Sequence, residues 1–256
     1  MIWPLHSVAI GLLASSLIYP LDSRAQTRDA VVPGPAFEVA SVKHRPNFDP
    51  QVRSDIRFDP GMLTVSNFRI DGLIINAFGV PTFRISGLPK WANSEFYDVT
   101  ARANTAADKD QLVRMLQTLL ADRFKLKAHW ESRELPSYVM TVGKNGAKLQ
   151  KAAEGQQPKP VLLTMGQFSG KRVPIERIVA ILSSALQRPV IDRTGLTGEF
   201  DLDARWPGDP SVLPFTPEYN DALISGIQDQ LGLKLESQKA PVEILVIDSI
   251  ERPSEN

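Results

Sequence analysis

Two stretches of this chain look alike at a nearly constant spacing, and a repeat of that kind constrains a fold more tightly than composition does. Gly61-Met62-Leu63, Phe68-Arg69-Ile70 and Leu73-Ile74 match Gly166-Gln167-Phe168, Val173-Pro174-Ile175 and Ile178-Val179, all 105 residues apart. Gly87-Leu88 matches Gly195-Leu196, and the run Tyr97 to Arg102 (YDVTAR) matches Phe200 to Arg205 (FDLDAR). Leu116, Leu120 and Phe124 fall on Leu223, Ile227 and Leu231, each 107 apart. Glu131-Ser132 and Pro136 fall on Glu236-Ser237 and Pro241, again 105 apart. Order kept across these blocks favours a duplication over chance similarity of short apolar patterns.

Periodicity gives each half the same order of elements. Ile175, Ile178, Val179, Leu182 and Leu186 form one apolar helix face, with Pro174 suited to the first turn. Leu112, Met115, Leu116, Leu119 and Leu120 define a second amphipathic helix. Phe124, Leu126 and Ala128 then alternate with Lys125, Lys127 and His129, as in a strand with one wet face. Leu135 to Val142 reads as a returning strand. Its counterpart Val242 to Ile247 is nearly all apolar, as in a central strand. Asp59-Pro60-Gly61 and Lys144-Asn145-Gly146 are turn sequences, and Phe37 to Lys43 is a leading strand. The expected fold is α+β with mostly antiparallel sheet, in two pseudo-repeats, each hairpin–helix–strand–helix–hairpin. The first repeat covers 36–150 and the second 161–256, with a linker at 151–160 (KAAEGQQPKP is Lys151 to Pro160).

The N-terminus carries an apolar run from Val8 to Ile18, too short to span a bilayer comfortably, followed by Ser23-Arg24-Ala25. A short apolar run before a small-x-small site is the pattern of a secretory signal peptide over 1–25, so the expected mature chain starts near Gln26 in the periplasm or outside the cell. An uncleaved anchor is the alternative. The chain has 29 basic and 29 acidic residues, and the leader removes one of each, Asp22 and Arg24. A neutral, exported chain is a poor general polyanion binder, so no nucleic-acid partner is expected. No later segment is long and apolar enough for a transmembrane helix. The 256 residues include no cysteine, which excludes disulfides, thiol nucleophiles and Cys-ligated zinc.

No strong chemical motif occurs in the chain. His44 and His129 have no two-His metal spacing. Asp201 and Asp203 share a strand face and could hold a hard cation, against a solvated face as the simpler reading. No G-x-S-x-G elbow or S-x-x-K set with its partners occurs, and Ser169-Gly170-Lys171-Arg172 departs from a phosphate loop in glycine spacing and in the residue after the lysine. No catalytic residue, metal ligand or cofactor is therefore assigned. Arg188 to Gly198 (RPVIDRTGLTG) admits two readings. One is a short buried strand, Val190-Ile191, and a turn held by Asp192. The other is a polar ligand site built by Asp192, Arg193 and Thr194. Arg123, Lys125, Lys127 and His129 form a basic stripe ending at Trp130, the pattern of a charged strand that discourages edge pairing.

Five segments carry a family resemblance: Phe37 to Lys43 (FEVASVK), Ala121 to Lys127 (ADRFKLK), Arg188 to Gly198, Gln230 to Ser237 (QLGLKLES), and the ending Val246-Ile247-Asp248 with Glu251-Arg252-Pro253. Together they resemble an uncharacterised secreted family, a domain of unknown function, with many paralogous copies in soil Acidobacteria. The resemblance runs over nearly all of Ala36 to Asn256 and implies a compartment but no activity. In some relatives a similar domain follows a membrane metallopeptidase of the beta-lactam-sensor type, which implies an extracytoplasmic sensing role. The unit Leu63 to Leu73, and Phe168 to Ile191, also resembles the short N-terminal interaction domain of secretins and TonB-dependent receptors.

The resulting expectation is an exported, non-catalytic binding protein whose partner is an envelope protein or an extracellular ligand. Its anchor candidates are Trp91, in a loop insertion, and Trp130, in the longer of two hairpin turns, with Asp192, Arg193 and Thr194 as polar candidates and Trp206 a further exposed ring. The competing class is an exported hydrolase using Asp192, Asp201 and Asp203, since an acid-pair enzyme needs only two carboxylates brought together by the fold.

Overall fold

The computed structural model describes residues 27–45, 48–209 and 211–253, so the predicted leader lies outside the described residues. In the first half run β1 (Arg28–Asp29), β2 (Val39–Arg45), β3 (Asp55–Asp59), β4 (Met62–Arg69), α1 (Ile70–Phe78), β5 (Ile85–Ser86), β6 (Phe96–Arg102), α2 (Lys109–Arg123) and β7 (Lys127–Val142). In the second run β8 (Gln150–Lys151), β9 (Lys159–Thr164), β10 (Gln167–Pro174), α3 (Ile175–Ala185), β11 (Val190–Asp192), β12 (Glu199–Arg205), α4 (Pro217–Leu231) and β13 (Leu233–Ser249). The class is α+β, and the sheets are mostly antiparallel; β5 on β13 and β11 on β7 are the parallel pairs. No described helix is long and apolar enough to cross a membrane.

Each half carries a four-stranded sheet, ordered β2-β6-β4-β3 in one and β8-β12-β10-β9 in the other. Their central strand pairs share a register, although β9 on β10 slips between Ser169 and Lys171 where β3 on β4 runs without a break. Two-residue turns at Pro60-Gly61 and Met165-Gly166 set Asp59 opposite Met62 and Thr164 opposite Gln167, with left-handed glycines (φ 72° and 102°) that a side chain would strain. Leu63 faces Ala101 and Phe168 faces Ala204. Each pair then slips by a bulge, between Val65 and Phe68 and between Gly170 and Val173. The bulged residues Asn67 and Arg172 are left-handed (φ 50° and 53°), and each gives its N–H to a carboxylate on the next strand, Asp98 at 2.8 Å and Asp201 at 3.2 Å. A carboxylate thus stands in for the ladder acceptor that the bulge removes.

The helices follow the expected faces. Leu112, Met115, Leu116, Leu119 and Leu120 are the buried residues of α2, which starts at an Asp108/Gln111 capping box. Ile175, Ile178 and Leu182 are buried on α3 and Leu186 at its C-cap, while Val179 is partly so. Phe124 to Leu126 is a helix exit rather than strand. Lys125 is left-handed (φ 50°), and the Leu126 N–H returns to the Leu120 carbonyl (3.2 Å).

The expected closing hairpin of each half is not formed. Lys127 to Val142 is one unbroken strand, and so is its counterpart Leu233–Ser249; the two pair antiparallel along their whole length, with Leu135 opposite Ala240. A strand that finds its partner in the other half needs no turn of its own. The prolines inside these strands fit, because Pro136 and Pro241 fall at ladder positions whose N–H would point away from the partner. The linker reading is corrected at its ends, since Lys151 belongs to β8 and Lys159-Pro160 to β9.

The long ribbon also interlocks the two cores. Ala128 of β7 lies in the first core and Met140 of the same strand in the second. Leu233 and Leu235 of β13 lie in the second core, and Leu245 and Ile247 in the first. Each half is completed by the far end of the other half's strand.

Candidate functional site

Each residue singled out in the sequence has a local partner in the fold. Asp192 Oδ1 accepts the Thr194 N–H (2.8 Å), Thr194 Oγ1 accepts the Leu196 N–H (3.1 Å), and the exposed Arg193 gives its N–H to the Met140 carbonyl (2.8 Å). These are the contacts of a strand end and turn. Trp91 sits on a 3₁₀ turn, Lys90–Asn93, half-buried against the first core, with the Arg252 guanidinium 5.1 Å above its ring. Trp130 is not in a turn. It lies within β7 opposite Leu245, half-buried on the first core, edge-on to Phe78 at 6.4 Å and under Arg28 at 5.8 Å. Trp206 packs on Gly226 of α4, where a Cβ would strike the ring, and its indole nitrogen is buried with no hydrogen-bond partner among the described residues.

The acidic candidates are similarly engaged. Asp201 Oδ2 accepts from Lys171 (2.8 Å) and Gln156 (3.1 Å) while Oδ1 holds the bulge. The Lys171 hydrogen bond foremost, then the Arg172 N–H and Gln156, hold its carboxyl below the usual 3.8 against the opposing effect of burial. Asp98 does the equivalent work in the first half, with Arg45 Nε at 2.6 Å. Asp203 is exposed and pairs with Arg205 at 3.3 Å. Asp192 stands on β11 in the ribbon sheet, whereas Asp201 and Asp203 stand on β12 in the second-half sheet. Among the described residues, no group of three His, Asp or Glu is placed to hold a metal ion.

A second cluster forms at the first half's edge. Arg252 holds Glu95 in a fork (2.6 and 3.0 Å), the buried Tyr97 hydroxyl donates to Glu95 (3.1 Å), and His44 lies 3.5 Å from the same carboxylate. Burial, then the Glu95 contact, pushes the Tyr97 phenol well above its ordinary value. This arrangement ties the C-terminal segment onto the first core. A closed, mutually satisfied set of this kind offers little to a ligand.

The open concavity lies elsewhere, at the seam between the halves. A groove of about 610 Å³ runs between α1 with the following turn, Thr82–Arg84, and α3, over the middle of the ribbon. Val80, Phe83, Val179, Val190 and Val242 give it apolar walls. Its polar groups are at the ends: Arg84 and Glu243 on one side, Glu176 and Arg177 on the first turn of α3. Arg84 Nε donates to the Glu243 carbonyl (2.7 Å), and the Glu243 carboxylate meets Arg28 at 3.2 Å. Burial draws the Arg84 guanidinium below its ordinary value, and Glu243 partly restores it.

The groove meets a free sheet edge. Tyr138 gives its N–H to Pro189 (2.7 Å) and Met140 accepts from Arg193 (2.8 Å), so even-numbered residues of β7 turn their main chain away from β13. Register pairs these with odd-numbered residues of β13, so Leu235, Ser237, Lys239 and Pro241 also present main-chain groups outward. β5 covers this edge at Leu245 and Val246, and Arg84 takes Glu243. Among the described residues, no strand covers it from Leu235 to Pro241. Sequence reasoning missed both features. The one signal was the pair of prolines, which mark ladder positions that need no N–H.

No curated protein and no solved structure matches the chain. A family model described as "Protein of unknown function (DUF3738)" matches residues 71–250, from the first turn of α1 past the end of β13. That span includes both long strands, the groove and the free edge. It takes in well over half of the chain, and the protein belongs to this DUF3738 family.

Proposed function

We propose that this protein is an exported interaction module, made by duplication of one α+β unit, that binds an extended polypeptide at the seam between its halves. The observation that carries the reading is the uncovered edge of β13 leading into an apolar groove. Strand addition needs those two things: main-chain donors and acceptors for affinity, and side-chain pockets for choice. The anchoring role passes from Trp91 and Trp130, which pack on the first core, to the groove walls.

The duplication is supported by five left-handed positions that recur in order: Gly61 and Gly166, Asn67 and Arg172, Gly79 and Gln187, Gly87 and Gly195, Lys125 and Gly232. It is supported too by the pairing of Leu135 with Ala240, residues 105 apart. A two-fold axis through that pair exchanges the long strands and puts the groove beside the axis. Clefts between packed units are where ligand sites concentrate.

The cysteine-free chain allows a direct test. Lys239→Cys on the edge, Ala180→Cys on the groove wall and Asp110→Cys on α2 each carry one benzophenone label. All three positions are exposed. Irradiation in envelope and medium fractions should cross-link the first two to a common partner and leave the third unlinked. Equal labelling from all three positions would exclude the seam as the site.

A further inference from the structure

Binding at the seam leaves open which end of a polypeptide is held and in which direction it runs. The free edge is directional. At one end Ser237 Oγ accepts from Arg188 Nη2 (2.8 Å), and the Arg188 guanidinium also stacks on Tyr138 at 4.7 Å, so that cation is already engaged. At the other end the edge runs out at Glu243, where Arg84 Nε takes the last carbonyl. Neither Nη of Arg84 has a hydrogen-bond or ion-pair partner among the described residues, and the nearby Glu243 carboxylate is paired with Arg28. A partly desolvated guanidinium with donors to spare is suited to a carboxylate. Phe83, Val80 and Val179 stand beside it as apolar walls.

Resting on the seam reading, we propose that the groove receives the carboxyl terminus of an extended polypeptide. Its last residues add to β13 between Leu235 and Pro241, its terminal carboxylate pairs with Arg84, and its apolar last side chain enters the groove. Because the carboxylate end lies toward Glu243, the added segment runs parallel to β13, the direction in which β5 already pairs at Leu245 and Val246. The outward groups of Leu235, Ser237 and Lys239 supply N–H and C=O, while Pro241 supplies C=O alone. An interior peptide segment has main-chain groups for the edge but nothing for the guanidinium. The proposal therefore separates chain ends from chain interiors.

The test uses fluorescein-labelled hexapeptides of alternating threonine and valine, ending in valine, leucine or phenylalanine. Each is made as the free acid and as the amide and is titrated by fluorescence anisotropy against the chain from Gln26. The free acids should bind saturably at one site and the amides about tenfold or more weaker, as expected for losing a charge-assisted contact. Arg84→Gln should bring the acids to the level of the amides and leave amide binding unchanged. Arg188→Gln should preserve the preference for the acid. Lys239→Pro, which removes an outward N–H that no described strand uses, should weaken both forms while far-UV circular dichroism stays unchanged. Val179→Trp, which fills the groove from its wall, serves as a second blocking variant. Equal binding of acid and amide overturns carboxylate recognition and leaves the seam reading standing. A preference that disappears in Arg188→Gln but not in Arg84→Gln overturns the direction. Failure of every peptide to bind at about 1 mM overturns the proposal and the seam reading together.

Discussion

If β7 and β13 each serve both cores, damage at one end of the ribbon must be felt at the other. Met140 belongs to β7 but is fully buried in the second core, and Leu245 belongs to β13 but is fully buried in the first. Truncating a fully buried methionine or leucine to alanine costs about 2–5 kcal/mol, from lost transfer energy and the cavity left behind. At about 2–4 °C per kcal/mol for a chain of this size, a loss near 3 kcal/mol lowers Tm by about 6–12 °C. Trp91 and Trp130 report on the first core and Trp206 on the second. In the chain from Gln26, which leaves out Trp3, a variant with Trp206→Phe, and another with Trp91→Phe and Trp130→Phe, therefore follow the two cores separately by fluorescence in urea. In both backgrounds Met140→Ala should lower the midpoint equally, and so should Leu245→Ala. A midpoint that falls only for Trp206 in Met140→Ala, with the first-core signal unmoved, would show two independently stable halves and refute the interlocked ribbon.

The remaining expectations concern single positions. Leu182→Ala, fully buried on α3, should cost about 2–5 kcal/mol in denaturant titration; a loss under about 0.5 kcal/mol would make α3 peripheral. Gly87→Ala places a Cβ against the Ile247 carbonyl at φ 86°, so it should destabilise more than Gly146→Ala, where φ is 82° but nothing lies within 4 Å. Asp201→Asn tests the bulge clamp through pH. Its lowered folded pKa gives stability that is present above the ordinary 3.8 and is lost as pH falls through the folded value, so wild type and variant should differ at neutral pH and converge in acid. A difference that persists unchanged in acid would place the effect outside the carboxylate charge. Deleting residues up to Ala30 removes β1 and its Ala30 N–H bond to Ala128 (2.9 Å), and should add a second, weaker peptide site on the uncovered edge of β7. Unchanged stoichiometry would count against edge binding.

What could be read from the sequence was whatever local pattern determines. The buried residues of α2 match its apolar periodicity one for one, because a helix face is fixed by spacing within a single segment. The turns at Gly61 and Gly146 were similarly legible, since left-handed backbone selects glycine. The left-handed bulges at Asn67 and Arg172 were not. A non-glycine residue adopts that conformation at a cost, and the carboxylates that take the freed N–H groups lie about thirty residues away on another strand. The closing hairpins failed for the same kind of reason. Leu135 to Val142 and Val242 to Ile247 each read as strands, but pattern does not say whether a strand folds back on its own half or pairs with a distant one. The groove and the free edge depend on that choice, so neither was visible before the ribbon was.

The proposed duplication would also account for the stretch of edge that no described strand covers. The ribbon has two outer edges. On β7, β1 covers His129 and Trp130, and β11 covers Tyr138 to Met140. On β13, β5 covers Leu245 and Val246. Under the two-fold, β5 and β11 are counterparts, so the counterpart of β1 would lie beside Lys234 and Leu235. In the first half that covering strand comes from the chain ahead of the repeat. In the second half the chain ahead of the repeat is β7 itself, already paired along the inner side of β13. One polypeptide has one N-terminal approach, so a doubled unit would have one edge without such a strand, as the described residues have from Leu235 to Pro241. An exposed edge is normally blunted by charge, and Lys234, Glu236 and Lys239 stand along it. Those charges discourage indiscriminate pairing of edge to edge. They leave the outward main-chain groups of the exposed Ser237 and Lys239 to a chain whose end matches Arg84 and whose side chain matches the groove.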